Sequence, residues 1–370
     1  MKNIALIGCG VIGSKHIEGF IENVEKLTLT ALCDPLQSRA EEKANEYKKK
    51  IPDADIAIFS DYREMLSKKR PDIVTVATGS GKHKEITLDC LNAGCHVICE
   101  KPLALSTKDA DEMIGAAKKN NRKLAVCLQE RFKAPIQKLR NAVESGRFGR
   151  VLHGMIQVRW NRNDAYYAEA PWRGTWEQDG GALINQCIHG IDLLQWMLGE
   201  DAVRVHAQTR RFMRPIEAED FGAAIIEFKN GAVGIVEGSV VTFPKNLNET
   251  LSITGEKGTV VIGGLAVNKI ETWRFADGEA AGDTEEKVLN ASEKDPLGRY
   301  GIGHAAVFRD FIEAIEQDRK PAVSGEDSKK ALEIILAIYK SQKTGMPVNL
   351  PCDFSTVDMK GVFNNESAVL

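Results

Sequence analysis

The feature that most constrains the fold is a glycine-rich turn at residues 8–13, which read Gly-Cys-Gly-Val-Ile-Gly. The turn follows the apolar run at 4–7 and precedes a helical pattern, so it joins a predicted strand to a predicted helix. In such a turn the first glycine permits a tight bend, the second lets a pyrophosphate approach the backbone, and the third lets helix and strand pack closely. The helix N-terminus favours bound phosphates. We therefore predict a dinucleotide-binding turn made of Gly8, Gly10, Val11, Ile12 and Gly13.

The first predicted domain covers residues 1–125, where short apolar runs alternate with helical patterns. The apolar runs are continuous, as expected of parallel strands that are buried on both faces. Strands separated by helices predict a doubly wound α/β domain of the Rossmann type. We predict strands at about 3–7, 28–33, 55–59, 72–77, 96–99 and 123–127, and helices at about 12–22, 36–49, 62–68, 82–93 and 107–120.

The second predicted domain covers residues 126–350. Its strands alternate apolar and polar residues, which indicates an antiparallel sheet with one covered face. Residues 351–370 lack a periodic pattern and are predicted to form a C-terminal arm. We predict helices at about 132–145, 181–198, 303–317 and 326–344, and strands at about 151–160, 204–211, 221–228, 233–241, 251–254, 259–262 and 269–275.

Charge and composition exclude several classes of protein. The formal net charge of −3 lacks the basic excess of a nucleic-acid binder. No apolar run is long enough to cross a membrane, and no signal peptide precedes the first strand. The eight cysteines form no Cys-x-x-Cys pair, so we expect reduced thiols and no bound metal. We expect a cytoplasmic protein with neither nucleic acid nor membrane as a partner.

An acidic residue at the end of the second predicted strand bears on the choice of cofactor. Asp34 there would accept hydrogen bonds from the adenosine ribose hydroxyls and repel a 2′-phosphate. This favours NAD, while Arg39 nearby leaves NADP possible. Thr78 begins a run of small residues that lets the backbone approach the cofactor. His83 is assigned to the cofactor side or to the start of the next helix.

The segment Glu100-Lys101-Pro102 ends the fifth predicted strand, at the edge where ligands of such a sheet bind. Pro102 favours an extended backbone at Lys101 and so presents the lysine side chain. An ammonium group there can stabilise a developing alkoxide. Glu100 and Lys101 are also expected beside the cofactor.

A second polar set lies in the predicted helix 181–198, where Asn185, His189 and Asp192 are spaced to share one face. The remaining residues are mostly apolar, so we expect a largely buried helix with His189 facing a cleft. Imidazole suits a general base near neutral pH, and Asp192 would orient it. Considered alone, the helix favours a histidine satisfied within the core; the glycine turn and Lys101 favour the catalytic interpretation.

Arginine and aromatic residues surround the predicted strand 151–160 and follow it in the next loop. Arginine binds a diphosphate or a carboxylate bidentately, and aromatic rings cover a sugar face. Packing between subunits is the alternative, because the same residue types are enriched there. His304 is expected to be structural. The predicted substrate-binding residues are Arg131, Arg159, Trp160, Arg162, Tyr166, Trp172, Arg173, Asn185 and His189.

Together, the glycine turn, the segment 100–102 and residues 180–192 resemble the Gfo/Idh/MocA family of NAD(P)-dependent sugar and inositol oxidoreductases, over nearly the whole chain. The resemblance implies a Rossmann domain followed by an α/β domain with an open, mostly antiparallel sheet. It also implies homo-oligomers, dimers or tetramers, formed through that sheet. It assigns the catalytic lysine to Lys101 and the catalytic histidine to His189, with Asn185 where most members have aspartate. Asparagine cannot take a proton, so we expect His189 to be the base.

Residues 171–186 resemble one branch of the family, whose members oxidise the 3-hydroxyl of UDP-N-acetylglucosamine or its uronic acid. The implied reaction is hydride transfer to NAD(P), which leaves a 3-keto sugar. Three alternatives stay open. The substrate is free inositol or a glucoside, the chain is an NAD-binding regulator without catalysis, or it is a glycosidase that uses bound NAD transiently.

Overall fold

The computed structural model describes residues 1–199, 201–278 and 303–364, which form two compact units. The first unit contains Met1–Ala104, Lys108–Gln129 and Gly303–Lys329. The second unit contains the described residues of Leu105–Thr107, Glu130–Ile302 and Lys330–Leu370.

The strands of the described chain agree closely with the sequence pattern. They are β1 (Lys2–Ile7), β2 (Leu27–Cys33), β3 (Ala57–Phe59), β4 (Ile73–Val76), β5 (His96–Cys99), β6 (Leu124–Val126), β7 (Val151–Arg159), β8 (Ala202–Arg210), β9 (Phe221–Phe228), β10 (Val233–Ser239), β11 (Asn248–Gly255), β12 (Gly258–Gly263), β13 (Lys269–Phe275) and β14 (Val348–Asn349).

The helices of the described chain follow in the same order. They are α1 (Gly13–Glu22), α2 (Gln37–Lys48), α3 (Tyr62–Lys69), α4 (His83–Asn92), α5 (Thr107–Lys119), α6 (Ala134–Glu144), α7 (Asp164–Ala168), α8 (Ala182–Asn185), α9 (Ile188–Leu198), α10 (His304–Glu316) and α11 (Gly325–Thr344). Within the described ranges, no helix combines the length and apolar character that crossing a membrane requires.

The first unit is a parallel sheet in the strand order β3-β2-β1-β4-β5-β6. Every residue of the central strand β4 is buried, because helices cover both faces of such a sheet. The predicted doubly wound α/β fold is confirmed. The order reverses between β1 and β4, and the carboxyl ends of the strands around such a point form the usual ligand crevice.

The first unit differs from the predicted domain 1–125, because it also contains residues 303–329. Helix α10 packs on α1, where the rings of Phe20 and Phe308 lie 4.9 Å apart. Gly19 permits this contact, since a Cβ there would lie 2.6 Å from the Phe308 ring. Apolar contacts across a long stretch of chain thus complete the first unit, and local sequence patterns carry no signal for them.

The second unit contains a sheet in the order β13-β12-β11-β7-β10-β9-β8-β14. Among its described strands, β7 and β10 pair in parallel and the other neighbours pair antiparallel. The predicted open, mostly antiparallel sheet is confirmed. One face lies under α9, where Ile156 and Val158 are buried and a Cβ on Gly190 would lie 2.6 Å from Ile156. The alternate residues Gln157 and Arg159 lie on the opposite face and are half-buried.

Three elements of the second unit differ from the sequence-based prediction. The predicted helix 181–198 is interrupted, so that α8 and α9 are separate, and the loop after β7 contains the short helix α7. Strand β14 pairs with β8 at the sheet edge and was not predicted. The predicted arm 351–370 is described as far as residue 364, where Phe363 is buried and stacks on Trp176.

Candidate active site

The glycine turn has the geometry that a dinucleotide requires. Gly8 has a φ of 94°, and a Cβ there would lie 2.5 Å from the Ala77 carbonyl oxygen. A Cβ on Gly10 would meet no atom within 4 Å, so this part of the backbone borders open space. Helix α1 begins at Gly13, which presents its first N–H groups to that space. The turn therefore fits a bound pyrophosphate, which Gly8, Gly10, Val11, Ile12 and Gly13 would hold.

Asp34 lies directly after β2 and is fixed by the backbone. One carboxylate oxygen accepts a hydrogen bond from the Cys9 N–H at 2.9 Å, and the other accepts one from the Leu36 N–H at 2.9 Å. Each carboxylate oxygen can accept a second hydrogen bond. Asp34 therefore fits the predicted role of binding ribose hydroxyls.

His83 is the first residue of α4 and is 1% exposed. Its Nδ1 lies 2.7 Å from the Pro102 carbonyl oxygen, and its Nε2 lies 3.1 Å from the Thr78 carbonyl oxygen. The ring therefore lies between the segment 100–102 and the loop after β4. This geometry gives no support to the prediction that the His83 side chain contacts the cofactor.

Glu100 is buried and faces two histidines. Its Oε1 lies 2.9 Å from His16 Nε2 and 3.7 Å from His304 Nε2, and its Oε2 accepts a hydrogen bond from the Lys101 N–H at 3.2 Å. Burial opposes ionisation of Glu100, but hydrogen bonds from the histidines outweigh it and hold its pKa well below the usual range. Glu100 is thus bound by other residues of the protein, and the adjacent Lys101 is half-buried.

The prediction that Asn185 and His189 share one continuous helical face is wrong. Helix α8 ends at Asn185, and the N–H groups of both Gln186 and Cys187 donate to the Ala182 carbonyl oxygen, at 2.9 and 3.0 Å. This extra residue in the turn ends α8 before α9 begins. The local rotation differs from that of a regular helix, so helical spacing does not relate the two side chains.

Asn185 is held by a carboxylate that the sequence analysis did not single out. Its Nδ2 donates to Oδ1 of Asp179, and Oδ2 of Asp179 accepts from the Gly174 N–H at 2.8 Å. The Asn185 carbonyl oxygen accepts a hydrogen bond from Gln186 Nε2 at 3.2 Å. The amide orientation of Asn185 is therefore fixed, with its NH₂ group toward Asp179.

His189 lies in the first turn of α9 and is 8% exposed. Asp192 was expected to orient it, and in the structure the Asp192 carboxylate accepts two hydrogen bonds of 2.6 Å from Arg131. The Arg131 guanidinium also lies 4.8 Å from the Trp196 ring centroid. Both members of the ion pair are buried, so the geometry supports a structural role for Arg131 and gives no support to its predicted contact with substrate.

Five of the predicted substrate-binding residues form one cluster. Two guanidinium groups lie over the Tyr166 ring, with Arg173 at 4.2 Å and Arg162 at 5.5 Å from its centroid. Arg162 also lies 5.0 Å from the Trp160 ring, and Arg173 lies 4.8 Å from the Trp172 ring. We call this group the arginine–aromatic cluster.

The arginine–aromatic cluster is connected to Asn185 by hydrogen bonds. The Tyr166 hydroxyl oxygen accepts from Arg173 Nη1 at 2.8 Å and from Gln186 Nε2 at 3.1 Å. Gln186 is in turn bonded to Asn185. The break between α8 and α9 turns Gln186 toward Tyr166, so it connects two groups of residues that the sequence analysis predicted separately.

Arg159 lies apart from this cluster. It forms two hydrogen bonds with Glu237, at 2.8 and 2.7 Å, on the sheet face opposite α9. This position gives no support to its predicted contact with substrate. It places Arg159 on the open face of the sheet instead.

Comparison with known proteins agrees with the fold. Residues 2–128 match the family model of an oxidoreductase family with an NAD-binding Rossmann fold, and residues 136–261 match the GFO/IDH/MocA C-terminal domain.

Two solved structures and one curated protein illustrate the similarity. The WlbA dehydrogenase of Bordetella pertussis, in complex with NADH and UDP-GlcNAcA, is 34% identical, with a TM-score of 0.83 over 95% of this chain and 99% of its own. The WlbA dehydrogenase of Chromobacterium violaceum, with the same ligands, is 35% identical, with a TM-score of 0.86 over 95% and 97%. The myo-inositol 2-dehydrogenase of Thermotoga maritima is 28% identical over 94% of this chain and 98% of that protein. The chain therefore belongs to the Gfo/Idh/MocA family of oxidoreductases, with an NAD-binding Rossmann domain.

Proposed function

We propose that this protein is an NAD-dependent dehydrogenase that oxidises the 3-hydroxyl of UDP-N-acetylglucosamine or its uronic acid, UDP-GlcNAcA. The observation that carries the proposal is the similarity to the two WlbA dehydrogenases, which were solved with UDP-GlcNAcA and are 34% and 35% identical over 95% of this chain.

In the proposed mechanism, His189 accepts the proton of the 3-hydroxyl as general base. The Lys101 ammonium group stabilises the negative charge that develops on the substrate oxygen. Asn185, whose NH₂ group faces Asp179, offers its carbonyl oxygen to the hydroxyl and orients it. NAD, when bound on the glycine turn, supplies the hydride acceptor.

The arginine–aromatic cluster suits a nucleotide sugar. Guanidinium groups bind diphosphates and carboxylates through paired hydrogen bonds, and UDP-GlcNAcA carries both groups. We assign Arg162 and Arg173 to these anions and Tyr166 to the positioning of the two guanidinium groups, because both contact its ring.

Oxidation of a free polyol is the second candidate, and the similarity to the myo-inositol 2-dehydrogenase of T. maritima favours it. This candidate predicts turnover of inositol or a glucoside and no affinity for UDP. A regulator without catalysis would produce no NADH with any of these sugars. A glycosidase with transient use of NAD would release a sugar without net NADH.

The test is NADH formation by the purified protein with NAD and, in turn, UDP-GlcNAcA, UDP-N-acetylglucosamine, myo-inositol and a glucoside. We expect turnover of a UDP-sugar, and loss of kcat by about 10²- to 10⁴-fold in Lys101→Met and His189→Asn. NADH fluorescence on binding serves as the control for intact cofactor binding. Turnover of inositol or the glucoside alone would reject the nucleotide-sugar substrate. Normal kcat in both variants would reject the mechanism.

We also propose that a second copy of the chain covers the open sheet face. Ile225 on β9 and Ile235 on β10 are directly paired in the ladder there, and they are 54% and 37% exposed. The ion pair of Arg159 and Glu237 lies on the same face and offers polar contacts at its side. Exposed apolar residues beside polar ones are typical of a surface that binds another protein.

A further inference from the structure

Both neighbours of Lys101 in the chain are bound by buried histidines. His16 on α1, the helix that starts at the glycine turn, contacts the Glu100 carboxylate at 2.9 Å. His83 at the start of α4 contacts the Pro102 carbonyl oxygen at 2.7 Å. The lysine therefore lies between two fixed points, each attached to an element that borders the cofactor site.

The His16 contact is a hydrogen bond from a neutral ring. His16 is 0% exposed, and its Nδ1 has no hydrogen-bond partner, so the proton lies on Nε2 and is donated to Glu100. Burial lowers the pKa of His16, which agrees with the neutral form. The rings of Phe308, at 5.6 Å, and His304, at 5.7 Å, fix its orientation. The direction of the bond is thereby set.

The His83 contact has the same character. The ring is 1% exposed, and burial lowers its pKa, so one nitrogen carries the proton. Both nitrogens face carbonyl oxygens, to only one of which a neutral ring can donate, and the Pro102 oxygen is nearer to Nδ1, at 2.7 Å, than the Thr78 oxygen is to Nε2, at 3.1 Å. We assign the proton to Nδ1. His83 then holds the backbone on the C-terminal side of Lys101.

The cluster around Glu100 is a hydrogen-bond network and does not have the geometry of a metal site. The atoms of His16, Glu100 and Cys127 that could ligate a metal all lie within 4.8 Å of one another, and by distance alone this is compatible with a metal ion. However, two ligands on a tetrahedral zinc, with bonds of about 2.0–2.1 Å, lie about 3.3 Å apart. His16 Nε2 and Glu100 Oε1 lie 2.9 Å apart, at hydrogen-bond distance. Burial also raises the pKa of the Cys127 thiol well above its usual value, which opposes a thiolate ligand.

We propose that His16 and His83 are positioning residues for Lys101, which hold the lysine in place through Glu100 and Pro102. This inference rests on the proposed role of Lys101 in catalysis. A catalytic group that moves by about 1 Å can lose about 10²-fold in rate, so fixation of both neighbours has a direct effect on turnover.

The test compares variants that remove each hydrogen bond with variants that keep it. His16→Leu and His83→Leu remove the donors. His16→Gln and His83→Asn keep an N–H donor, because the glutamine amide nitrogen is as far from Cγ as histidine Nε2, and the asparagine amide nitrogen is bonded to Cγ as Nδ1 is. The matched control is His96→Leu. His96 begins β5, at the end of the strand opposite Glu100, and its Nδ1 accepts a hydrogen bond from the Lys123 N–H at 3.0 Å.

We expect both leucine variants to lose about 10- to 100-fold in kcat for UDP-GlcNAcA, with KM and NADH affinity unchanged within about twofold. His16→Gln and His83→Asn should recover most of kcat. His96→Leu should keep wild-type kcat even if it unfolds at a lower temperature. Crystal structures of the leucine variants supply a readout without turnover, in which the Lys101 backbone should be displaced relative to the wild type.

Four results would overturn the inference. Wild-type kcat in both leucine variants, or an undisplaced Lys101 in their crystal structures, would reject the positioning role alone. A zinc ion bound in stoichiometric amount to the purified protein and lost in His16→Leu would replace the network with a metal site. Lys101→Met is assayed in parallel, and full activity there would reject the proposed function together with the inference.

Discussion

At the scale of single residues, the pair of Asp179 and Asn185 depends on having one carboxylate and one amide. Asp179 is 2% exposed and accepts hydrogen bonds from Asn185 and from the Gly174 N–H. In Asn185→Asp, two carboxylates would share this buried position, and like charges raise the pKa of such a pair. The folded protein would then hold a proton that the unfolded chain releases.

We therefore expect the melting temperature of Asn185→Asp to fall relative to wild type as pH rises from about 5 to 8, measured by differential scanning fluorimetry. The double variant Asp179→Asn, Asn185→Asp restores one carboxylate and one amide and serves as the control. It should regain the wild-type dependence on pH. Equal pH dependence of wild type and Asn185→Asp would show that the two side chains do not interact in this way.

We expect His96 to destabilise the folded protein in acid. Burial, with Arg122, Lys2 and Lys123 nearby, lowers the pKa of His96 to about 4, and its Nδ1 accepts from the Lys123 N–H. The unfolded value is about 6.5, so the folded state binds fewer protons between these pH values. The contribution of neutral His96 to the free energy of unfolding is complete above about pH 6.5 and is lost as pH falls toward 4. His96→Asn does not titrate there, and its melting temperature should fall less steeply over this range. An unchanged slope would contradict this assignment.

The residues of the candidate site could be predicted from the sequence where a local motif marks them. Asp34 follows a strand, and Lys101 precedes a proline at a strand end. His16 and Asp179 carry no such signal, because their partners Glu100 and Asn185 are known only from the fold. Arg159 was predicted from residue type, and only strand alternation in the structure shows that it lies on the open face.

At the scale of elements, the start of α8 is bound by a buried carboxyl group. Glu219 is completely buried, and its Oε1 accepts from the Leu183 N–H and the Tyr339 hydroxyl, both at 2.9 Å. Burial raises the pKa of Glu219 to about 8. Gly181 is required beside it, because a Cβ there would overlap the Glu219 carboxyl group.

The folded state therefore holds the Glu219 proton at neutral pH, and the unfolded chain releases it above about pH 4.5. The free energy of unfolding therefore falls through Glu219 as pH rises from about 4.5 to 8. Glu219→Gln keeps the shape of the neutral acid without titrating. We expect the melting temperature of this variant to exceed that of wild type by an amount that grows between about pH 5 and 8. A constant difference would contradict the raised pKa.

Elements with a strong periodic pattern were predicted well, and short or interrupted ones were not. The strands and helices of the first unit agree with prediction because buried parallel strands are continuous apolar runs. The break between α8 and α9 falls at Gln186 and Cys187, which contain neither proline nor glycine, so nothing local marks it. At the break, Gln186 Nε2 donates to the Tyr166 hydroxyl oxygen, a contact between residues 20 positions apart in the chain. Strand β14 has two residues and exists only because β8 lies beside it.

At the scale of the whole molecule, we expect copies of the chain to associate through the open face of the second sheet. Ile225 and Ile235 are paired there and exposed. Ile225→Lys would place a charge in the proposed interface, where an unpaired buried charge is strongly unfavourable. We expect light scattering after size exclusion to show a dimer or tetramer for wild type and a smaller species for Ile225→Lys.

The matched control is Leu36→Lys, a substitution in the first unit at a side chain that is 55% exposed. It should leave the molecular mass unchanged. A monomeric wild type, or an Ile225→Lys variant of unchanged mass, would contradict association through this face.

Residues 303–329 belong to the first unit but are synthesised after most of the second unit. The backbone of β6, the edge strand of the parallel sheet, is covered by this segment, since the Val126 N–H donates to the Val323 carbonyl oxygen at 3.1 Å. On the ribosome, the first 129 residues emerge well before the segment that covers this edge. The nascent domain therefore presents an uncovered strand and the apolar surface of Phe20 while the second unit is synthesised. A fragment that ends at residue 129 keeps the uncovered strand and the exposed Phe20 surface. We therefore expect that fragment to aggregate.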